Sequence, residues 1–149
     1  MRLREELPEF SGDLEWINGH VTKENVIGKV PILVHFWSIS CHSCENTFKI
    51  ITQLNKKYGD NFQVIGVHMP RSKDDINNKL IKQTADRLNI KNPVCLDHSL
   101  SVTKNFQNRI VPTFYLFDKK GLLRHVQSGE NGFKMLEKRL ILLMNEQKK

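Results

Sequence analysis

Cysteine is scarce in this chain, 3 of 149 residues. So few thiols cannot staple a scaffold, and an odd count leaves at least one unpaired. Proline and glycine are also sparse, at 5 and 8 residues, and no Pro/Gly/Ser linker, internal repeat or low-complexity tract interrupts the chain. With hydrophobic residues at 39% and charged residues at 26%, a collagenous or disordered chain is excluded, and one domain over residues 1–149 is expected. Long apolar runs are missing too. The longest, Val30 to Trp37, contains His35 and falls far short of the ~20 residues a spanning helix needs. The opening Met1-Arg2-Leu3-Arg4-Glu5-Glu6 is charged, with no apolar stretch after it, and no lipidation motif is present. A cytoplasmic location is the expectation. The net charge of +7 is spread along the chain without a run of five basic residues. A solvated basic surface is therefore expected, with neither nucleic acid nor membrane as partner.

What is present is an alternation of strands and helices. Pro31 to Trp37 is a β-branched and aromatic run suited to a strand buried on both faces. From Cys44, the positions Phe48, Ile51, Leu54 and Tyr58 repeat with helical period, and Gly59 ends the helix. Phe62 to Met69 predicts a second buried strand, stopped by Pro70. Ser72 to Asp75 offers capping chemistry for a helix from about Asp75 to Leu88, with Ile76, Leu80 and Thr84 or Ala85 inward and Asn89 as its stop. A short strand at Pro93–Asp97 and a short helix at Val102–Arg109 follow, the latter with Phe106 inward. Thr113–Asp118 and Leu122–Gln127 predict a hairpin across Lys119-Lys120-Gly121. Phe133, Leu136, Leu140 and Leu143 mark a last amphipathic helix that frays from Asn145 to Lys149. Before all of these, a short hairpin is expected around Leu14 to Val21. Alternating strands and helices imply a parallel sheet, and the late hairpin adds antiparallel strands.

Two of the three cysteines, Cys41 and Cys44, stand three positions apart at the end of the first strong strand and the start of the following helix. A helix N-terminus carries roughly half a positive charge and unpartnered N–H groups, both of which favour a thiolate. Such placements lower a thiol pKa from about 8.5 to ~3.5–7.5. The spacing brings the two sulfurs within disulfide reach. Cys41 is expected to be the exposed attacker and Cys44 the inward resolving thiol. His42 between them would stabilise the thiolate as a cation, and the His42-Ser43 pair would tune the potential. A zinc site is the competing chemistry, but no second CxxC and no HxxxH supplies its other ligands. Cys95 lies inside an apolar strand and is expected to be a core thiol.

The run Ile32 to Trp37, the Cys41-His42-Ser43-Cys44 motif, and Ile110-Val111-Pro112-Thr113-Phe114 together resemble the thioredoxin superfamily. Leu7-Pro8-Glu9-Phe10 and the helical stretch between Asp74 and Asn89 are similar to its ResA/TlpA branch, and most to the small, unanchored YkuV type. The similarity covers nearly the whole chain. It implies an α/β, thioredoxin-like three-layer fold. That fold has a mixed central sheet with helices on both faces, an N-terminal extension, and an inserted helix between the second and third core strands. It also implies that Cys41 is the nucleophile, Cys44 the resolving thiol, Pro112 a cis-proline facing them, and Val111 the residue whose backbone pairs with substrate. Trp37, His35 and Ser40 are supporting residues. The chain departs from the family at several points. Ser40 stands where a tryptophan commonly precedes the first cysteine. His35 and Gly66 stand where thioredoxins carry a buried aspartate and its lysine. Thr47 replaces the glutamate of ResA-type proteins, and Lys49 lies near the place of the helix-kinking proline. A carboxylate proton relay therefore does not carry over, and His35 is either an acceptor for the Cys44 proton or a neutral core histidine.

The expected activity is thiol-disulfide exchange on protein disulfides, without cofactor or metal. Electrons come from a donor such as a thioredoxin reductase or a small thiol, and the protein acts as a monomer. Two other functions compete. A thiol peroxidase of the related fold would need a proline before its reactive cysteine, and here only Ser38 is in place, with Pro31 too far away. A non-catalytic binding module would have no use for both Cys41 and Cys44.

Overall fold

The computed structural model describes residues 1–146. Six strands form one sheet: β1 (Glu15–Ile17), β2 (Ile32–Trp37), β3 (Gln63–His68), β4 (Val94–Leu96), β5 (Thr113–Phe117) and β6 (Leu123–Ser128), in the spatial order β1-β4-β3-β2-β5-β6. Strands β2, β3 and β4 run parallel, while β1, β5 and β6 pair antiparallel. The helices are α1 (Lys23–Val26), α2 (Cys44–Tyr58), α3 (Asn78–Arg87), α4 (Ser101–Phe106) and α5 (Phe133–Glu146). All six residues of β2 are buried, as the unbroken apolar run requires of a strand covered on both faces. Alternate side chains then build two cores. Leu33 and Trp37 join Phe48, Ile51 and Leu54 of α2 with Leu136 and Leu140 of α5. Ile32, Val34 and Phe36 join Val102 and Phe106 with Leu7 of the N-terminal segment. The fold is the thioredoxin-like α/β architecture expected, including the N-terminal extension and the inserted helix α3.

Four local expectations are corrected. The hairpin at 14–21 does not form. Only Glu15–Ile17 is a strand, and it pairs with the open edge of β4, placing Trp16 opposite Cys95. Gly19, at φ +130°, turns the chain away, and Thr22 then caps α1 by accepting the Asn25 N–H at 3.2 Å. A long-range edge outcompeted the local partner. The inserted helix begins at Asn78 rather than Asp75, because Asn77 caps it, accepting the Leu80 N–H at 3.0 Å. That shift buries Ile81 and Ala85 and leaves Ile76 and Leu80 outside, 48% and 42% exposed. Helix α4 stops at Phe106 instead of Arg109, since Gln107 takes a left-handed φ of 57°. At the chain end, Asn145 and Glu146 remain helical rather than frayed, and residues 147–149 lie outside the described residues. Among the described residues no helix is long and apolar enough to cross a membrane.

Candidate active site

Strand β2 ends at Trp37, and residues 38–43 lead into α2, whose first residue is Cys44. Cys41 and Cys44 are joined in a disulfide across that turn, with their Cα atoms 5.4 Å apart. The Cys41 N–H donates to the Ser38 carbonyl at 3.1 Å, and the Glu45 N–H to the His42 carbonyl at 3.2 Å. Cys44 thus occupies the first helical position, and Cys41 stands just before the helix, where the unpartnered N–H groups converge. Cys41 is not the exposed residue expected. It is 6% exposed against 1% for Cys44, and both belong to the apolar cluster built on β2 and α2. The order of exposure is as expected, with Cys41 the more accessible. His42 is exposed, and the Ser43 hydroxyl lies 3.6 Å from the Cys41 sulfur.

His35 is completely enclosed on β2. Its ring stacks on Phe114 with centroids 4.6 Å apart and meets Phe48 edge-on at 4.9 Å. The Thr47 hydroxyl donates to the Cys44 carbonyl at 2.7 Å, so its oxygen accepts from His35 Nε2 at 2.8 Å. That bond sets the His35 tautomer with the proton on Nε2. Burial pushes its pKa down to about 3, which keeps the ring neutral. Among the described residues no hydrogen bond joins His35 to either sulfur. Its link to the cysteines runs through Thr47 and the first turn of α2. The neighbour of His35 on β3 is Gly66, where a Cβ would come within 2.9 Å of Val94 Cγ2. Trp37 is fully buried, edge-on to Phe48 at 5.0 Å and His68 at 4.9 Å, with its indole N–H unpartnered. It floors the site and does not reach its surface.

The Val111–Pro112 peptide bond is cis. Val111 packs against the apolar cluster that contains both cysteines and also against the cluster on the other face of the sheet. The Ile110 carbonyl accepts from Thr113 Oγ1 at 2.7 Å and from Asn108 Nδ2 at 3.0 Å, which pins the loop from below. Among the described residues neither the N–H nor the carbonyl of Val111 has a backbone partner.

Four residues around the site received no functional role from the sequence, although Thr47 and Asp75 were noted there for other reasons. Thr47 and His68 are buried on α2 and β3. Arg71 and Asp75 follow β3 and bond to Ser40. In the sequence Ser72 to Asp75 reads as capping chemistry for the following helix, and only the burial of Asp75 marks it out as part of the site. Cys95 is fully buried in β4 among apolar side chains, and burial drives its thiol pKa far up. Among the described residues no group of three or more His, Cys, Asp or Glu side chains is placed to hold a metal ion.

The redoxin family profile matches residues 4–140. The thiol-disulfide oxidoreductase YkuV of Bacillus subtilis (strain 168) is 46% identical over 146 residues, spanning 98% of this chain and 99% of that one. A thioredoxin-like protein whose solution structure is of the oxidised form superposes with a TM-score of 0.89, at 46% identity and over 98% of this chain and 99% of its own. The thiol-disulfide oxidoreductase ResA of Bacillus cereus (strain ATCC 10987 / NRS 248) is 26% identical, over 94% of this chain and 78% of that protein. With one match running from residue 4 to residue 140 and another running almost the full length of both chains, the chain belongs to the redoxin family, among its thiol-disulfide oxidoreductases.

Proposed function

We propose that Cys41 and Cys44 reduce protein disulfides through a mixed disulfide, in the cytoplasm, with a reductase or small thiol as electron donor. In the dithiol state the Cys41 thiolate attacks one sulfur of the substrate disulfide. That S–S bond breaks, the Cys41–substrate bond forms, and the departing substrate sulfur takes a proton. Cys44, as thiolate, then attacks the Cys41 sulfur and releases the second substrate thiol. Two electrons and two protons pass to the substrate, and the Cys41–Cys44 disulfide remains. The donor returns both.

The observation that carries this is the disulfide itself, formed across the turn before α2 with Cys41 the more accessible of the two residues. The unpartnered Val111 backbone supports a substrate held as an added strand beside Cys41. His42 and Ser43, flanked by the two cysteines, are proposed to tune the potential. The test is reduction of a protein disulfide by dithiol in the presence of this protein. Cys41→Ser is expected to abolish the acceleration, and Cys44→Ser to accumulate mixed disulfides visible on a non-reducing gel. Full activity of Cys41→Ser would overturn the mechanism. A Cys41–Cys44 potential below the cytosolic glutathione poise supports the reducing direction, and one well above it removes that direction and the cytoplasmic setting together.

A further inference from the structure

Three consecutive residues ahead of Cys41 are each tied through a side chain to the end of β3 or the segment that follows it. The Ser38 hydroxyl donates to the Met69 carbonyl. The Ile39 N–H donates to His68 Nε2 at 3.1 Å. Ser40 holds the densest knot. Its hydroxyl donates to Asp75 Oδ2 at 2.8 Å and accepts from Arg71 Nε at 3.1 Å, while Arg71 Nη2 donates to the Ser40 carbonyl at 2.6 Å. Asp75 Oδ2 also accepts the Arg71 N–H at 2.8 Å. Asp75 is only 2% exposed, so its carboxylate is an inward anchor rather than a surface charge.

The Ser40 carbonyl belongs to the peptide that supplies the Cys41 nitrogen. A guanidinium bonded to it therefore sits within one residue of the attacking sulfur. Among the described residues the Arg71 guanidinium makes no direct ion pair, and Asp75 reaches it only through the shared Ser40 hydroxyl. A forked cation on a fixed carbonyl does two things. It locks the Ser40–Cys41 peptide in one orientation, and it favours negative charge developing next to it. A cation close to a thiol favours the thiolate, and favouring the reduced form makes the disulfide more oxidising.

We propose that Arg71 and Asp75 are positioning residues for the exchange reaction: Asp75 fixes Ser40 and the Arg71 backbone, and the Arg71 guanidinium, clamped on the Ser40 carbonyl, stabilises the Cys41 thiolate. The proposal rests on Cys41 being the attacking thiol. The titratable groups on the elements around Cys41 are His42 on its own turn, Glu45 and Lys49 on α2, His35 on β2, His68 on β3, Arg71, Lys73, Asp74 and Asp75 after β3, and Arg109 ahead of the Val111–Pro112 bond. Of these side chains only Arg71 bonds to the Ser40–Cys41 peptide.

The test uses Arg71→Gln, Arg71→Lys and Asp75→Asn in the full chain. Two quantities are read on the cysteine pair without any substrate: the rate of Cys41 alkylation by iodoacetamide in the reduced protein, and the dithiol–disulfide equilibrium against glutathione. Arg71→Gln is expected to slow alkylation about threefold and to shift the equilibrium about threefold toward the disulfide, equivalent to a potential lower by about 14 mV at 29.6 mV per tenfold. Arg71→Lys, which keeps the charge but not the fork, is expected to fall between Arg71→Gln and the parent. Asp75→Asn is expected to act in the same direction as Arg71→Gln, because Ser40 and Arg71 lose their charged acceptor. Faster alkylation in Asp75→Asn, the result of removing a negative charge alone, would overturn the positioning role of Asp75. Arg71 is exposed, so Arg71→Gln is expected to fold, and parental values in that variant would overturn the role of Arg71. If instead Cys41→Ser keeps its activity, it is the underlying function that fails, whatever Arg71 does.

Discussion

On one face of the sheet Phe36, Phe106 and Tyr115 pack edge to face, with centroids 5.1 to 5.4 Å apart, and Cys95 belongs to the same cluster. On the other, the Cys41–Cys44 disulfide shares a core with Trp37, Phe48 and Phe114, and both buried imidazoles, His35 and His68, press against those rings. Each face buries cysteine sulfur, yet the chemistry differs. Cys95 lies in mid-strand, paired with Val67 on one side and Trp16 on the other, so its thiolate would have neither water nor cation beside it. Cys41 and Cys44 lie past the end of β2, where the sheet stops, a helix begins and polar side chains gather. Reactivity here is a property of place in the fold, not of residue type.

The comparison breaks first on labelling. In the reduced, folded protein Cys41 is expected to react with iodoacetamide on the order of a thousandfold faster than Cys95, as read by peptide mass mapping. Similar rates at the two sites would erase the distinction between the faces.

The next test concerns the imidazoles. Burial lowers the pKa of His35 to about 3 and that of His68 to about 4, whereas in the unfolded chain both take up protons near the ordinary value of 6.5. Between those limits the unfolded chain binds more protons. Stability is therefore expected to fall as pH drops from about 6.5 toward 4, by about 3 kcal/mol for each histidine. Urea unfolding at pH 7 and pH 4 measures this. His35→Leu is expected to remove about half of the acid loss, and an unchanged pH dependence in that variant would place the sensitivity elsewhere.

The smallest effect sharpens the contrast from the other side. Cys95→Ala is expected to cost about 1 kcal/mol in a denaturant titration through lost packing, and to leave disulfide-reduction turnover within twofold of the parent. A large loss of turnover would give Cys95 a redox role that its burial argues against.

Much of this architecture was legible in advance. The strands β2, β3 and the β5–β6 hairpin, and the helices α2 and α5, follow from apolar runs and helical periods that each segment carries by itself. The position of Cys41 and Cys44 followed from those boundaries, since the motif falls between a clear strand and a clear helix. Where local signals competed with distant partners, legibility ended. Leu14 to Val21 has hairpin composition, but β4 offered a free edge. The phase of α3 depended on Asn77 being its cap and on Asp75 being occupied with Ser40 and the Arg71 backbone.

The site divides in the same way. Residue identity and spacing were enough to single out Cys41 and Cys44, because a thiol pair at a strand-to-helix boundary is a local pattern, whereas Val111 and Pro112 were implied by the resemblance to the thioredoxin superfamily. The tertiary structure alone decided what surrounds them. It linked His35 to the helix start through Thr47, and set His68, Arg71 and Asp75 against residues 39 and 40. Those groups lie twelve to thirty-five positions from their partners along the chain. No local period or spacing encodes such contacts: the His35–Thr47 bond exists because α2 packs back on β2, and the others because β2 and β3 run side by side and bring the loops that follow them to the same end of the sheet.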